Sequence, residues 1–107
     1  MSRHEYQLQA KVFKYPGMAG WFFASLPRAV AAEIKNGFGQ KRRGWGAIPV
    51  DATIGQTAWK SSIFPDSKSG TYLLPLKLSI RKREGVKDGS VVALALRIDV
   101  QRLLSRE

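Results

Sequence analysis

The sequence contains no cysteine, which excludes disulfide bonds and thiolate metal sites. It has a single histidine, His4, so we expect neither a histidine-based catalytic triad nor a histidine metal centre. No apolar run approaches the roughly 18 residues that a membrane-spanning helix needs, and residues 1–5 lack the apolar core of a signal peptide. These absences predict a cytoplasmic protein with no membrane association, no metal and no cofactor.

Acidic residues are also scarce. Eight Asp and Glu residues stand against 18 Lys and Arg, for a formal net charge of +10. The aspartates are scattered, without the pairing of carboxylates on which acid–base catalysis depends, so we expect a protein that is not an enzyme. The positive charge leaves two alternatives open: a polyanionic partner such as nucleic acid, or a basic protein whose charge only keeps it dispersed.

Alternation of apolar and polar residues is the clearest pattern in the sequence, and it indicates half-buried strands. The longest such stretch covers residues 71–100 and is predicted to form two strands joined by the basic turn 81–90. We expect this pair to supply the largest share of the core. Its two apolar faces consist of Tyr72, Leu74, Leu76, Leu78 and Ile80, and of Val92, Leu94, Leu96, Ile98 and Val100.

One helix is predicted near residues 27–36, because Pro27 suits a first helical turn and glycines follow where the helix would end. Six antiparallel strands in so short a chain are expected to close on themselves, since closure removes exposed edges. The predicted fold is mainly β: a small closed six-stranded antiparallel β-barrel with one short capping helix. It forms a single domain, 1–107, with frayed ends at 1–5 and 101–107. The remaining four strands are predicted at residues 6–15, 21–26, 42–54 and 57–63.

Three groups of motifs carry a family resemblance. They are W-x-F-x-x-L-P at residues 21–27; V-D-A-T-I-G at 50–55 with W-K-S-S-I-F-P at 59–65; and G-T-Y-x-L-P-x-K-x-x-I-R-K at 70–82 with G-V-x-x-G-S at 85–90. In this order they resemble a bacterial family known only as a domain of unknown function. The same module is similar to one fused ahead of a YdeI/OmpD-associated-type domain in longer proteins. The resemblance implies a small closed β-barrel, and it implies no activity.

A candidate ligand site combines an aromatic ring, two hydroxyls and two cations. Its residues are Trp59, Ser61, Ser62, Lys77 and Arg81. The tryptophan would form an apolar wall, and the arginine fork would match the carboxylate or phosphate of a small anionic ligand. The alternative is a core aromatic residue beside solvated charges. On the first alternative, the protein is a non-enzymatic ligand-binding or regulatory barrel.

Nucleic acid is the alternative partner. Two basic clusters and one tryptophan could supply phosphate contacts and a stacking surface, provided that they converge in space. Such binding would be electrostatic and weakly selective for sequence. The residues concerned are Arg42, Arg43, Trp45, Lys82 and Arg83.

Overall fold

Six strands form the closed sheet of this protein, for which a computed structural model describes residues 4–17, 20–39 and 46–105. The order around the barrel is β1-β2-β5-β4-β3-β6, and β6 pairs back onto β1 with every neighbour antiparallel. The predicted six-stranded antiparallel barrel is therefore confirmed. The described elements are β1 (Glu5–Lys14), β2 (Phe22–Ser25), α1 (Arg28–Phe38), β3 (Ile48–Ile54), β4 (Thr57–Asp66), β5 (Thr71–Pro75), α2 (Leu78–Glu84), β6 (Val91–Ile98) and α3 (Val100–Leu104).

Side chains fill the interior of the barrel. Along β1 and β6, buried and exposed residues alternate, as the period-two pattern requires. Pairing places residues of the same face opposite each other, for example Leu8 opposite Leu94 and Tyr6 opposite Leu96. The largest fully buried residues come from five of the strands and from α1: Val12, Ile34, Ile48, Pro49, Val50, Ile63, Leu74, Leu94, Leu96 and Ile98.

The strand directions place the three helices of the described residues at two ends of the barrel. Helix α1 follows β2, and α3 follows β6, at the end where the β4–β5 turn also lies. Helix α2 follows β5 at the opposite end, beside the β1–β2 and β3–β4 connections. Ile34 and Phe38 of α1 are buried in the main core, and Ile80 of α2 is buried as well. The predicted helix is thus confirmed as α1. The sequence did not predict α2, a second helix that covers the opposite end of the barrel.

The predicted pairing of two strands within residues 71–100 is wrong. Strand β5 ends at Pro75 and pairs with β2 and β4, whereas β6 pairs with β1 and β3. Leu76 and Ile80 are both buried, and their spacing of four suits one side of a helical turn as well as one face of a strand. Leu78, which the strand pattern places inside, is 55% exposed at the start of α2.

The basic turn predicted at residues 81–90 is largely the end of α2. Gly85 has a φ of 65° and forms the left-handed C-cap of the helix. A hairpin turn also favours glycine at positive φ, so this residue does not distinguish the two structures. Arg81, Lys82 and Arg83 occupy the last turn, where positive side chains interact favourably with the helix dipole.

The chain is ordered beyond the predicted ends of the barrel. Fraying at 101–107 is wrong for residues 101–104, which belong to α3 and include the buried Leu103. Glu5 lies in β1 opposite Arg97, so fraying is also wrong at that residue. A helix of five residues is too short to produce a periodic signal, and the burial of one leucine holds it in place.

We expect Leu76→Ala and Leu94→Ala each to lower the free energy of unfolding by about 2–5 kcal/mol, because both side chains are buried and truncation leaves a cavity. Denaturant melts monitored by circular dichroism measure the change. Leu78→Ala is the matched control on the exposed side of α2 and should cost less than about 0.5 kcal/mol. Equal losses for Leu76 and Leu78 would contradict the helical assignment.

Candidate functional site

The predicted ligand residues are spread between the two ends of the barrel: two of them belong to α2 at one end, and the Ser61 carbonyl oxygen contacts α3 at the other. Trp59 and Ser61 share the interior face of β4 with the buried Thr57 and Ile63, whereas Ser62 lies on the outer face. Trp59 is half-buried against the core, opposite Ala52. Within the described part of the chain, its buried Nε1 has no hydrogen-bond partner. Trp59 therefore presents only part of its ring to solvent.

The two predicted cations belong to α2 rather than to a strand. Lys77 is the N-cap residue, and Arg81 lies within the helix. The Arg81 guanidinium donates to the carbonyl oxygens of Leu76 (Nε, 3.2 Å) and Gly20 (Nη2, 3.4 Å) and lies 3.9 Å from the centre of the Phe22 ring. These contacts direct the guanidinium toward β2. The structure thus brings Trp59 and Ser61 onto one face, and the proposed binding role of the five residues stays a prediction.

The alternative nucleic-acid surface is described only in part. Lys82 and Arg83 are exposed on α2. Arg42, Arg43 and Trp45 lie outside the described residues. The surface formed by all five residues stays a prediction.

The sequence did not predict a groove at the end of the barrel that carries α1 and α3. It has a volume of about 900 Å³ and lies between α1 and the turn that joins β4 to β5. We call it the α1 groove. Arg28 and Lys35 lie along its helical side, with the small residues Ala31 and Ala32 between them. The strand side consists of Pro65, Asp66, Ser67, Gly70, Thr71 and Tyr72.

Helical geometry explains why the two cations line the same groove. Arg28 and Lys35 are seven positions apart, which is close to two turns of an α-helix. Ala31 lies beneath them and is buried, so small side chains leave room above the helix surface. The spacing is visible in the sequence, but exposed cations at this spacing also occur on solvated helices. Only the position of the β4–β5 turn distinguishes the groove from such a surface.

Hydrogen bonds hold the strand side of the α1 groove in place. Asp66 Oδ2 accepts from the backbone N of Ser69 (3.1 Å) and from its Oγ (2.6 Å), which closes the turn. The Gly70 amide donates to the Asp66 carbonyl oxygen (2.9 Å). Thr71 Oγ1 donates to the carbonyl oxygen of Leu26 (2.8 Å), which precedes α1. Oδ2 of Asp66 therefore accepts hydrogen bonds from its own turn, while the two cations on α1 are exposed.

A second polar cluster joins α3 to the barrel. Asp99 Oδ1 accepts from the Arg102 backbone N (3.1 Å) and caps α3, and Oδ2 lies 3.4 Å from Arg102 Nη1. Arg102 Nη2 donates to the Ser61 carbonyl oxygen (3.0 Å). Lys60 Nζ lies 3.0 Å from Asp51 Oδ1 and 3.8 Å from Asp99 Oδ2. The charges of the two acidic and two basic side chains balance one another, so the cluster is suited to stabilising α3.

The hydrogen bond from the Arg102 amide lowers the pKa of the Asp99 carboxyl below its ordinary value of 3.8. Burial opposes this change, and the positive charges of Arg102 and Lys60 add to it. A lowered pKa in the folded state means that the ionised carboxylate stabilises the fold, and that this contribution is lost as the pH falls through the lowered value.

No three His, Asp or Glu side chains within residues 4–17, 20–39 and 46–105 are grouped so that they could hold a metal ion. In those same ranges, none of the helices has both the length and the apolar character needed to cross a membrane.

Sequence comparison agrees with the motif resemblance. Residues 9–96, most of the chain, match the model of a family described as a domain of unknown function (DUF1905). The match confirms the predicted membership of a domain-of-unknown-function family. No curated protein shows significant similarity to the chain.

We expect Asp99→Ala to lower the free energy of unfolding by about 1 kcal/mol near neutral pH, because α3 loses its N-cap acceptor. Urea melts of both proteins near neutral pH and well below pH 3.8 measure the difference. The difference in the free energy of unfolding between the wild type and Asp99→Ala should be smaller at the lower pH, where the wild-type carboxylate becomes protonated. Asp99→Asn is the matched control, since an amide oxygen can still cap the helix. A gap that is the same at both pH values would contradict a role for the charge.

Proposed function

We propose that this chain, which belongs to the family described as a domain of unknown function (DUF1905), is a non-enzymatic module that binds a small anionic ligand. The α1 groove is the observation that carries this proposal. Its volume of about 900 Å³ falls within the range of small-molecule sites, which often occur at the mouths of barrels.

The filled interior of the barrel directs a ligand to its end. Val50, Leu74 and Leu96 are at most 1% exposed, and small barrels have this kind of side-chain-filled centre. A small molecule therefore cannot enter the interior, whereas helices and turns leave space outside that core. The α1 groove offers such a space beside elements held by hydrogen bonds.

Charge favours an anion in the α1 groove. Arg28 supplies a fork of donors, and Lys35 supplies an ammonium group on the same side of α1. Among the described residues that line the groove, Asp66 is the one acid, and its Oδ2 accepts two hydrogen bonds from Ser69. A carboxylate or phosphate group in the groove would thus lie near two cations and one carboxylate.

The remaining lining supports a ligand with an apolar body. Ala31, Ala32 and Pro65 provide small apolar surfaces, and Tyr72 adds an aromatic ring at the edge of β5. This combination of cations, hydroxyls and an aromatic side chain is the same chemistry that we predicted around Trp59. This lining favours binding of a small organic carboxylate or phosphate ester over binding of an inorganic ion.

Titration with inorganic phosphate and with benzoate, followed by amide NMR shifts, tests the proposal. We expect the shifts to cluster on α1 and on residues 65–72. Arg28→Gln should weaken the binding of the anion by about 1.5–3 kcal/mol, the range for hydrogen bonds to charged groups. Arg83→Gln, an exposed arginine on α2, is the matched control and should leave the affinity unchanged.

Shifts that cluster around Trp59 and Arg81 instead would favour the ligand site predicted from the sequence. The absence of shifts with either compound at millimolar concentration would contradict an anion-binding function.

A further inference from the structure

An aromatic cluster covers the outer surface of the β1–β2 hairpin, away from the α1 groove. It consists of Phe13, Tyr15, Trp21 and Phe23, which we call the outer platform. The rings of Trp21 and Phe23 are stacked, with centroids 5.9 Å apart and planes at 24°. The Tyr15 and Phe13 rings lie 5.4 Å and 6.1 Å from the Phe23 ring. Trp21 is 49% exposed.

The strand register explains how these four side chains meet. Phe13 lies opposite Phe23, and Phe23 lies opposite Pro75. The Tyr15 amide donates to the Trp21 carbonyl oxygen (2.8 Å), so these two residues form the next row. Such outward positions of an antiparallel sheet are usually polar. Phe13, Tyr15 and Phe23 are half-buried and Trp21 is exposed, so the four rings form a partly exposed apolar patch, and such patches mark binding sites.

Cations border the outer platform. Lys11 precedes Phe13 on the outward face of β1 and is exposed. The Leu76 amide donates to the Phe22 carbonyl oxygen (2.9 Å), which continues the ladder beyond β5, and the exposed Lys77 follows. Arg81 donates to the carbonyl oxygen of Gly20, the residue before Trp21. Positive side chains therefore lie on opposite sides of the aromatic rings.

Acidic side chains are sparse around the outer platform. Among the described outward positions of β1, β2 and β5, Glu5 is the only acid, and it lies at the far end of β1 opposite Arg97. Asp88 approaches the near end of β1, where its Oδ1 accepts from the Lys14 amide (3.0 Å). The local charge is thus positive, as is the net charge of +10.

We propose that the outer platform binds single-stranded nucleic acid. Bases would stack on Trp21 and its neighbouring rings, while Lys11 and Lys77 would contact phosphates on either side. Stacking on aromatic side chains together with electrostatic attraction is the general mode of sequence-tolerant single-strand binding. A second copy of the chain fits less well, because a two-fold contact centred on the aromatic rings would place one positively charged border against another. The site differs from the α1 groove and does not depend on its function.

Fluorescence anisotropy with labelled oligothymidylate and oligouridylate of about 12 nucleotides tests the proposal. We expect binding at low salt, with weaker binding to a duplex of the same length. Trp21→Ala and Tyr15→Ala should each weaken single-strand binding by about 5- to 150-fold, the effect of removing one stacking partner. Leu104→Ala is the control, since Leu104 is 56% exposed on α3 at the other end of the barrel.

The salt dependence tests the cations separately. Between about 50 and 200 mM salt, the logarithm of the affinity should fall linearly with the logarithm of the salt concentration. Lys11→Gln and Lys77→Gln should each reduce the magnitude of this slope by about 0.7. Lys68→Gln, in the β4–β5 turn at the opposite end, should leave it unchanged.

Three results would overturn the proposal. One is no binding of either oligonucleotide at about 50 mM salt. Another is equal affinity for single strands and duplex that Trp21→Ala does not change, which would indicate a purely electrostatic surface elsewhere. The third is self-association of the protein that Trp21→Ala abolishes in sedimentation experiments, which would assign the platform to a second copy.

Discussion

Closure of the sheet by β1 and β6 is the constraint on which the rest of the structure depends. Residues 5–11 pair with residues 91–97, so strands from the two ends of the chain become neighbours. This pairing removes the two edges that an open six-stranded sheet would expose. It also completes the core, because Tyr6 and Leu8 meet Leu96 and Leu94 only when the barrel is closed.

A closed and filled barrel restricts where binding can occur. The interior is occupied, so ligands and partners can be recognised only at the two ends and on the outer face. The helices make the ends different. At one end α1 leaves a groove with two cations, and at the other α2 directs Arg81 toward β2. The α1 groove and the outer platform are therefore separate surfaces of one fold.

Residues 76–84 show why a regular sequence pattern can mislead. Leu74, Leu76, Leu78 and Ile80 alternate perfectly, yet the strand ends at Pro75 and a helix begins at Leu78. Apolar residues at spacings of two and four satisfy both a strand and a short helix. In the folded protein Thr57 Oγ1 donates to Glu84 Oε2 (2.5 Å), a tertiary contact of α2 that local alternation does not encode.

The sequence by itself determined the class of the fold, most strands and most residues that face the core, because these follow from local periodicity. It also determined the helix α1, because Pro27 and the later glycines mark its ends. It also determined the positive charge and the family. Only the tertiary structure decided which strands pair, since alternation specifies the face of a strand but not its neighbour. For this reason Phe13 and Phe23 become neighbours only through strand register, and Arg28 and Asp66 line the same groove only through helix packing.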